Sequence, residues 1–365
     1  MTTAVLPAPL STPAAEPAQG LGLTLAESGW LPDAIVRQGI RSLLRERRDD
    51  LARGGIAEQR EREARFINDL RGQPVAIEQA AANAQHYEVP AAFYGLMLGR
   101  HRKYSSCWFP TGQETLDQAE ALALEETCRR AGVANGQRIL EIGCGWGSLS
   151  LWMAEHYPTA VITGVSNSRS QRAHILAVAE RRGLRNLNIV TADMATFDAG
   201  PMGSFDRVVS VECFEHLRNW HELFRRIAGW LTPEGSLFFH VFTHRAVPYL
   251  FDTDGDGNWM GRHFFTGGMM PSDGMPLAMG AGGPLRVADH WRWAGTHYAA
   301  TARGWLRNLD ANRSAAQRVL AEAAPGRNPR VLLQRWRMFV MACEELWAFD
   351  QGQEWLVSHY RMVRS

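Results

Sequence analysis

Short apolar runs alternate with helical periods from residue 138 to residue 244. Five runs predict β-strands, and they are 138–143, 160–166, 186–193, 205–213 and 236–244. The intervening segments have helical spacing, among them 169–182 and WHELFRRIAGWL, which precedes a predicted turn over Pro233–Gly235. This alternation predicts a parallel sheet with both faces covered by helices. Ligands bind such sheets beyond the carboxyl ends of the strands.

Helical patterns precede this alternating region. Apolar residues recur every three or four positions from 31 to 72, with a break at Gly54–Gly55, and further helices are predicted near Pro90 and over LDQAEALALEETCRRAG. The segment 31–72 is also basic and amphipathic, which is the pattern of a membrane-surface helix. Acidic residues are mixed in throughout, so the pattern favours a solvated helical face.

The alternation of predicted strands and helices stops after residue 244. Residues 245–286 are rich in glycine and methionine and have no regular period, which is typical of a lid or substrate-binding insertion. A strand over 288–295, helical segments over 302–323 and 329–348 and a last strand over 354–363 follow. The chain is therefore predicted to be an α/β protein with a doubly wound, Rossmann-like, seven-stranded sheet, an N-terminal helical cap and an inserted lid.

Three regions follow from this pattern. Residues 1–22 are rich in Ala, Pro and Thr and lack a basic start with an apolar core, so they predict a disordered tail rather than a secretory signal. Residues 23–130 form the predicted helical cap. Residues 131–365 form the sheet domain, with the lid insertion at 245–286.

A glycine-rich turn follows the first predicted strand. RILEIGCGWG (138–147) places Gly143, Gly145 and Gly147 between strand and helix, where a ligand can approach the main chain closely. The spacing differs from that of a dinucleotide site, and Glu141 precedes the first glycine. S-adenosylmethionine has no pyrophosphate but carries an α-ammonium that an acidic residue can meet, so the turn suits this cofactor. A tight strand–helix turn also forms without a ligand, so the motif alone is weak evidence.

The composition limits which binding partners and which cellular compartment are expected for this chain. The net charge is +1, so no global electrostatic argument favours nucleic acid. The five cysteines are scattered and none has CxxC spacing, which favours reduced thiols in the cytoplasm. No apolar run has transmembrane length, so no integral membrane contact is expected. Lys103 is the only lysine, which we interpret as genomic base composition.

Two segments resemble metal sites only superficially. The cluster around VECFEHL lacks the H-E-x-x-H spacing that places two histidines on one helical face. DTDGDG (252–257) begins like a calcium loop, but its twelfth position is His263, where a bidentate glutamate is required. We predict no metal.

Several strings together resemble the cyclopropane fatty acid synthase superfamily of class I methyltransferases. These are EIGCGWG, the upstream YSSCWF, FEH after the fourth strand and GTHYAATARGWL. Within it, GVSNSRSQ, VECFEHLRNW, ADHW, WLRNLDAN and GQEWLVSH are similar to the coclaurine N-methyltransferase group. The resemblance runs from about residue 31 to the C-terminus. It implies S-adenosylmethionine as cofactor and methyl transfer to a nucleophile.

The resemblance also implies which residues hold the cofactor. The segment at 104–105 would close over the methionine moiety, Asn167 and Gln171 would take the ribose, and the residues after the third strand would flank the adenine. Asn167 has a second reading as a helix N-cap neighbour, and Asp193 as a turn residue. The expected cofactor residues are Tyr104, Ser105, Glu141, Gly143, Gly145, Asn167, Gln171, Asp193 and Met194.

Three residues after the fourth strand are candidates for catalysis. Glu212, Glu215 and His216 lie at and just beyond the strand end. A protonated amine has no lone pair, so N-methylation benefits from a base, which typically contributes about 10²–10⁴-fold. We assign that role to Glu215 and His216, with Glu212 beside them. On sequence alone a Glu–His pair is more often part of a surface helix.

Lipid cyclopropanation is the rival activity. In that branch, the resemblance implies a bicarbonate held by Cys, Glu, His and Tyr, which fall here on Ser106 (or the adjacent Cys107), Glu215, His240 and Tyr298. Tyr298 favours the lipid branch, whereas the insertion and GQEWLVSH favour the amine branch.

Aromatic residues crowd the insertion and the C-terminal region, and aromatic faces stabilise cationic groups. The residues expected at the acceptor are His240, Trp259, Phe264 and Tyr298. We expect an S-adenosylmethionine-dependent N-methyltransferase of a small, cyclic or aromatic-bearing amine. The alternatives are modification of unsaturated lipid acyl chains and a non-enzymatic adenosyl-binding domain. A homodimer stays open.

Overall fold

Five parallel strands form the centre of the computed structural model, which describes residues 20–77 and 89–365. They are β1 Arg138–Ile142, β2 Val161–Ser166, β3 Leu187–Thr191, β4 Phe205–Val211 and β5 Leu231–His244. Each overlaps a strand predicted from the apolar runs. The inner strands β1, β2, β4 and β5 are largely buried on both faces and therefore lack a polar stripe, whereas β3 lies at the edge of the sheet and is partly exposed.

Two antiparallel strands extend this sheet. They are β8 Leu285–Ala294 and β9 Trp355–Arg364. Their numbers allow for two short strands in the insertion, β6 Tyr249–Leu250 and β7 Met269–Met270. The strand order is β3-β2-β1-β4-β5-β9-β8, with β9 antiparallel to both neighbours. The predicted seven-stranded, Rossmann-like sheet is confirmed. The order reverses between β1 and β4, so the crevice beyond their carboxyl ends is the expected binding position.

Helices cover both faces of the sheet and build a cap beside it. The N-terminal helices are α1 Leu21–Glu27, α2 Asp33–Ala52, α3 Gly55–Arg71, α4 Ala91–Met97 and α5 Leu116–Ala131. Those between the parallel strands are α6 Ser148–His156, α7 Arg169–Arg181 and α8 Trp220–Trp230. The later ones are α9 Trp259–Phe264, α10 Met275–Gly280, α11 Gly295–Ala311, α12 Arg313–Ala323 and α13 Pro329–Ala348.

The cap docks onto the C-terminal helix α13 through ion pairs. Arg37 of α2 donates to Glu344 and Glu345 at 2.7 Å each, and Arg337 reaches Asp33 at 2.6 Å. The partners on α13 are largely buried, so these pairs fix how the two elements meet. The predicted break at Gly54–Gly55 is the junction between α2 and α3, where both glycines have positive φ.

The insertion 245–286 is more regular than the sequence suggested. It contains β6, α9, β7 and α10, and a buried carboxylate anchors it to the sheet. Asp273 accepts hydrogen bonds from Ser358 at 2.7 Å and from Arg292 at 2.8 Å, and it also contacts His290. These hydrogen bonds of Asp273 explain how a segment without hydrophobic periodicity is held against the sheet.

Three predicted boundaries were wrong. Helix α1 begins at Leu21, so the last residues of the predicted tail are helical, and residues 1–19 lie outside the described part. Helix α11 begins at Gly295, seven residues before the predicted start. Only glycine fits at this first position, since a Cβ there would lie 2.4 Å from the Trp355 carbonyl oxygen. The predicted Pro233–Gly235 turn lies within β5, as a shift in its register with β4.

Within residues 20–77 and 89–365, every helix is too short or too polar to span a bilayer.

Candidate active site

A deep cavity opens beyond the carboxyl ends of β1 and β4, where the strand order reverses. The glycine turn and the end of β4 form one side, and the insertion and the C-terminal helices form the other. The residues used below that line it are Lys103, Tyr104, Ser105, Glu141, Gly143, Gly145, Glu212, Cys213, His216, Phe251, Phe265, Tyr298, Trp305, Phe339 and Trp347.

The glycine turn has the conformation that its sequence predicts. Gly143, Gly145 and Gly147 have φ values of 76°, 50° and 82°, which side chains rarely adopt. A Cβ on Gly143 would lie 2.5 Å from the sulfur of Cys213, whereas a Cβ on Gly145 would meet nothing within 4 Å. The turn is therefore packed against the end of β4 at its first glycine and open to the cavity at the second.

Glu141 presents a buried carboxyl group to the cavity. It is 2% exposed, and the Ser150 hydroxyl donates a hydrogen bond to it. Burial raises its pKa to about 7, with the Ser150 hydrogen bond acting in the opposite sense. A cationic ligand group beside this carboxyl would favour its ionised form. The α-ammonium expected from the sequence fits that requirement.

A second cavity continues from the first toward β2 and β3. Both are lined by the same five residues, which are Gly143, Gly145, Gln171, Cys213 and His216. Asn167 and Met194 line the second cavity, in keeping with their predicted contact with the nucleoside.

Asp193 is placed differently. It is exposed, it does not line either cavity, and its side chain accepts from the backbone N–H of Ala195 at 2.7 Å. The structure gives it the role of a turn residue.

Three donors from separate parts of the chain converge on Glu212. The backbone N–H of Ser106 lies 2.9 Å and the His240 Nε2 lies 3.0 Å from Oε1, and the Tyr298 hydroxyl donates to Oε2 at 2.6 Å. Glu212 itself has φ 45°, a left-handed conformation that is costly for a non-glycine residue. Its side chain is 7% exposed. The position is therefore enforced by its surroundings.

Glu215 lies behind the cavity wall rather than in it. It is fully buried, its Oε1 accepts from the backbone N–H of Phe242 at 3.0 Å, and its Oε2 has no hydrogen-bond partner. Burial, together with the nearby charge of Glu212, raises its pKa well above the ordinary value. Burial also raises the pKa of Glu212, but Lys103 and the donors oppose that effect. Of the two carboxyl groups, Glu212 is therefore the more readily ionised, because it has the hydrogen-bond donors and Lys103 beside it, and Glu215 is the one that keeps its proton to higher pH.

His216 borders both cavities. Its ring stacks on Phe265 with centroids 6.0 Å apart, and it is carried by a short 3-10 helix over Phe214–His216. Burial lowers its pKa to about 4, with Glu212 opposing the shift. The imidazole is therefore neutral near pH 7, which is the state that accepts a proton.

The predicted acceptor residues are divided between the cavity and the layer behind it. Tyr298 lines the cavity, and His240 reaches it only through Glu212. Trp259 and Phe264 do not line it, because Trp259 donates to Glu27 at 2.6 Å and Phe264 stacks on Phe339 at 4.2 Å. Aromatic content alone did not show which rings face inward.

Sequence reasoning missed two contributions. Lys103 is 2% exposed, lines the cavity, and donates to the Ser105 hydroxyl at 2.6 Å and to the Ser106 carbonyl at 2.5 Å. The sequence feature that could have pointed to Lys103 is that it is the only lysine of the chain. The other was the aromatic wall of α11 and α13. Aromatic residues of the C-terminal region were noted from the sequence, but Trp305, Phe339 and Trp347 were not placed at the site.

In the described ranges, no group of three or more His, Cys, Asp or Glu side chains is arranged to hold a metal ion.

Comparison with known proteins gives a family model and full-length relatives. The family model described as mycolic acid cyclopropane synthetase matches residues 76–356. (S)-Coclaurine N-methyltransferase of Thalictrum flavum subsp. glaucum is 30% identical over 335 residues, which is 91% of this chain and 92% of that protein. Cyclopropane mycolic acid synthase 1 of Mycobacterium tuberculosis (strain ATCC 25177 / H37Ra) is 26% identical over 285 residues, 75% of this chain and 94% of that protein.

A solved structure extends the likeness to three dimensions. The crystal structure of coclaurine N-methyltransferase bound to N-methylheliamine and SAH superposes with a TM-score of 0.89 at 30% sequence identity. The match covers 94% of this chain and 98% of that one.

The first glycine of the turn provides a test of the cofactor site. Gly143→Ala places a methyl group against Cys213, so we expect the affinity for S-adenosylhomocysteine, measured by calorimetry, to fall by about tenfold or more, equivalent to roughly 1.4 kcal/mol. Gly136→Ala is the matched control, because its φ of 82° gives similar backbone strain with nothing within 4 Å of the new Cβ. Equal losses in both variants would show that backbone strain, and not contact at the site, is responsible.

Proposed function

This chain belongs to the mycolic acid cyclopropane synthetase family and is an S-adenosylmethionine-dependent methyltransferase, and from that premise we propose that it methylates the nitrogen of a small amine. The resemblance inferred from the sequence is thereby confirmed, and the non-enzymatic alternative is removed. The choice between amine and lipid rests on one observation, the position of the Glu212 carboxylate.

The cavities fit the cofactor. Glu141 offers a carboxyl group to the α-ammonium, Gly143 and Gly145 let the ligand approach the backbone, and Asn167 and Gln171, which would hold the ribose, line the second cavity. S-adenosylmethionine supplies an electrophilic methyl group when it is bound. The remaining task of the protein is to align the acceptor, exclude water and take up a proton.

Glu212 favours an amine acceptor over a lipid one. The lipid branch was expected to hold bicarbonate with Ser106, Glu215, His240 and Tyr298. Three of these residues instead direct hydrogen bonds at the carboxylate of Glu212, at 2.9, 3.0 and 2.6 Å. A second anion would lack those donors and would be repelled by the first. An anion that belongs to the chain therefore takes the place that bicarbonate would need.

A fixed carboxylate at the cavity wall also suits a cationic acceptor. Glu212 attracts a protonated amine, and the neutral imidazole of His216 can then remove its proton. Burial makes this imidazole a weak base, so the proton transfer depends on the nearby Glu212 charge, which stabilises the imidazolium. A ring nitrogen of His216 would take the proton from the acceptor nitrogen and leave that nitrogen with a lone pair. The bound cofactor would supply the methyl group to this lone pair, its bond from the methyl carbon to the sulfonium sulfur breaking so that the sulfur leaves as a neutral thioether. Glu215, which lies outside the cavity and holds a proton, positions the strand end through Phe242. The base proposed here is therefore His216 with Glu212, and not Glu215.

The rest of the cavity is aromatic. Phe251, Phe265, Trp305, Phe339 and Trp347 line it, and aromatic faces stabilise a desolvated cation by about 0.5–2 kcal/mol each. Ring-bearing acceptors pack against such walls. Alignment of the two reactants in a dry site accounts for much of the expected rate, since effective molarities reach roughly 10⁵–10⁸ M in well-oriented systems.

An acceptor panel tests the proposal directly. Tetrahydroisoquinoline-type amines and a dispersion of unsaturated phospholipid are incubated separately with labelled S-adenosylmethionine, and products are identified by mass. We expect label on the amines, at the nitrogen, in buffer depleted of bicarbonate. Label on the lipid with none on any amine would overturn the proposal.

The proposed base provides a second test. His216→Asn should lower kcat by about 10²–10⁴-fold, because a proton acceptor is lost. KM for the amine should change by less than about threefold, since Glu212 remains to attract the cation. In the wild type, a pKa of about 4 keeps His216 neutral, so its protonation should not lower kcat between about pH 6 and pH 8.

His221→Asn is the matched control for this substitution. His221 lies on α8 five residues further along and does not line either cavity, so kcat should stay near that of the wild type. A His216→Asn enzyme with undiminished kcat would exclude His216 as the base.

A further inference from the structure

Two buried histidines lie side by side behind Glu212. His240 of β5 and His359 of β9 are direct cross-strand partners, so their side chains point to the same face of the sheet. Their rings stack with centroids 4.5 Å apart and an interplanar angle of 23°. Both residues are 1% exposed or less. Neither belongs to the wall of the cavity, yet the pair begins at the carboxylate on which the proposed reaction depends.

Arg130 closes the outer end of this pair. Its NH1 lies 2.8 Å from Nδ1 of His359, its Nε donates to Glu126 at 2.6 Å, and its guanidinium lies 5.3 Å from the ring centres of both Trp291 and Trp293. The Arg130 side chain is 8% exposed. Arginine is always a donor, so Nδ1 of His359 must accept, and the proton of the neutral His359 ring lies on Nε2.

The tautomer of His240, at the Glu212 end of the pair, is also fixed by its hydrogen bond. Both oxygens of Glu212 already accept, Oε1 from the Ser106 N–H and Oε2 from the Tyr298 hydroxyl, so Nε2 of His240 donates to Oε1 across 3.0 Å. Nδ1 of the neutral His240 ring then carries no proton. The two remaining ring nitrogens, Nδ1 of His240 and Nε2 of His359, are buried and have no hydrogen-bond partner. Each ring is thus held in one tautomer by a charged group at the opposite end of the pair.

We propose that Arg130 and His359 are positioning residues of the methyl-transfer site, which hold His240 as a neutral donor to Glu212 and prevent it from taking up a proton. This inference rests on the proposed function. The acceptor's proton then goes to His216, and Glu212 keeps the charge that attracts the amine. Neither Arg130 nor His359 contacts the acceptor, so both act through His240.

Among the charges around the pair, Arg130 is the one that acts on both rings from outside the cavity. His240 is next to Glu212 and His359, and its pKa is also lowered by the charges of Lys103, from the loop before α5, and of Arg130. His359 faces Arg130, His240, Lys103 and, from β8, His290. Burial, followed by these cationic and histidine neighbours, holds the pKa of both rings well below the ordinary value. Without Arg130, a proton on either ring is less costly, and a protonated His240 neutralises Glu212.

Steady-state kinetics across pH test the proposal. In Arg130→Gln, we expect kcat/KM for the amine to fall by about tenfold at about pH 6, because a histidine ring that has lost the neighbouring Arg130 charge takes up a proton more readily in that range. The loss at about pH 8.5 should be about twofold, because both rings are then neutral in the variant as well. Arg130→Lys retains the cation and should restore most of the activity at the lower pH.

Arg129→Gln is the matched control. Arg129 donates to the same Glu126 carboxylate but is 66% exposed at its side chain and does not contact His359. Its profile should follow that of the wild type. An equal loss at both pH values in Arg130→Gln would indicate a merely structural role and overturn the proposal. A pH profile of Arg130→Gln that matches that of the wild type would also overturn the proposal.

Histidine tautomers provide a readout that needs no substrate. In long-range ¹H–¹⁵N spectra of the full chain, with signals assigned through His359→Asn and His240→Asn, both rings should carry the proton on Nε2 and should not titrate between about pH 6 and pH 8. If His359 carries its proton on Nδ1, or either ring titrates in that range, the proposal fails. Because this measurement involves no methyl acceptor, failure of the proposed function would leave it unaffected.

Discussion

The site depends on one buried carboxylate held in a strained backbone position. Glu212 adopts φ 45° at the end of β4 and receives hydrogen bonds from Ser106, His240 and Tyr298. An ionised carboxylate in a poorly solvated position is stable only when such donors surround it. Since each donor comes from a different element, the charge can be maintained only by the complete fold.

Much of the remaining architecture serves this arrangement. The loop before α5 brings the N–H of Ser106, β5 brings His240 and α11 brings Tyr298. The cap ties α13 in place through Arg37 and Arg337, and Asp273 ties the insertion to the sheet, so the aromatic walls close over the same position. In this arrangement, the cofactor turn determines which group is transferred, while the surroundings of Glu212 determine which acceptor receives it.

The sheet and the cofactor turn were predictable because their determinants are local. Apolar runs define strands, and Gly143 is required by its own backbone, whose φ of 76° disfavours a side chain. The acceptor site was less predictable because its contacts join residues 28, 86 and 106 positions apart. Glu215 was chosen as base from a motif that does not reveal which carboxyl faces the cavity. Trp259 and Phe264 were chosen by residue type, yet they pack behind the wall.

The most direct test replaces Glu212 by the one residue that tolerates its backbone. Glu212→Gly keeps the left-handed conformation without strain and removes the built-in anion. We expect the amine methylation rate of the wild type to be independent of bicarbonate. The methylation rate of the variant should be lower than that of the wild type by about 10²–10⁴-fold, and part of the loss should be restored when bicarbonate is added. A wild-type rate that falls when bicarbonate is removed, or a variant that keeps the full rate without it, would contradict the account.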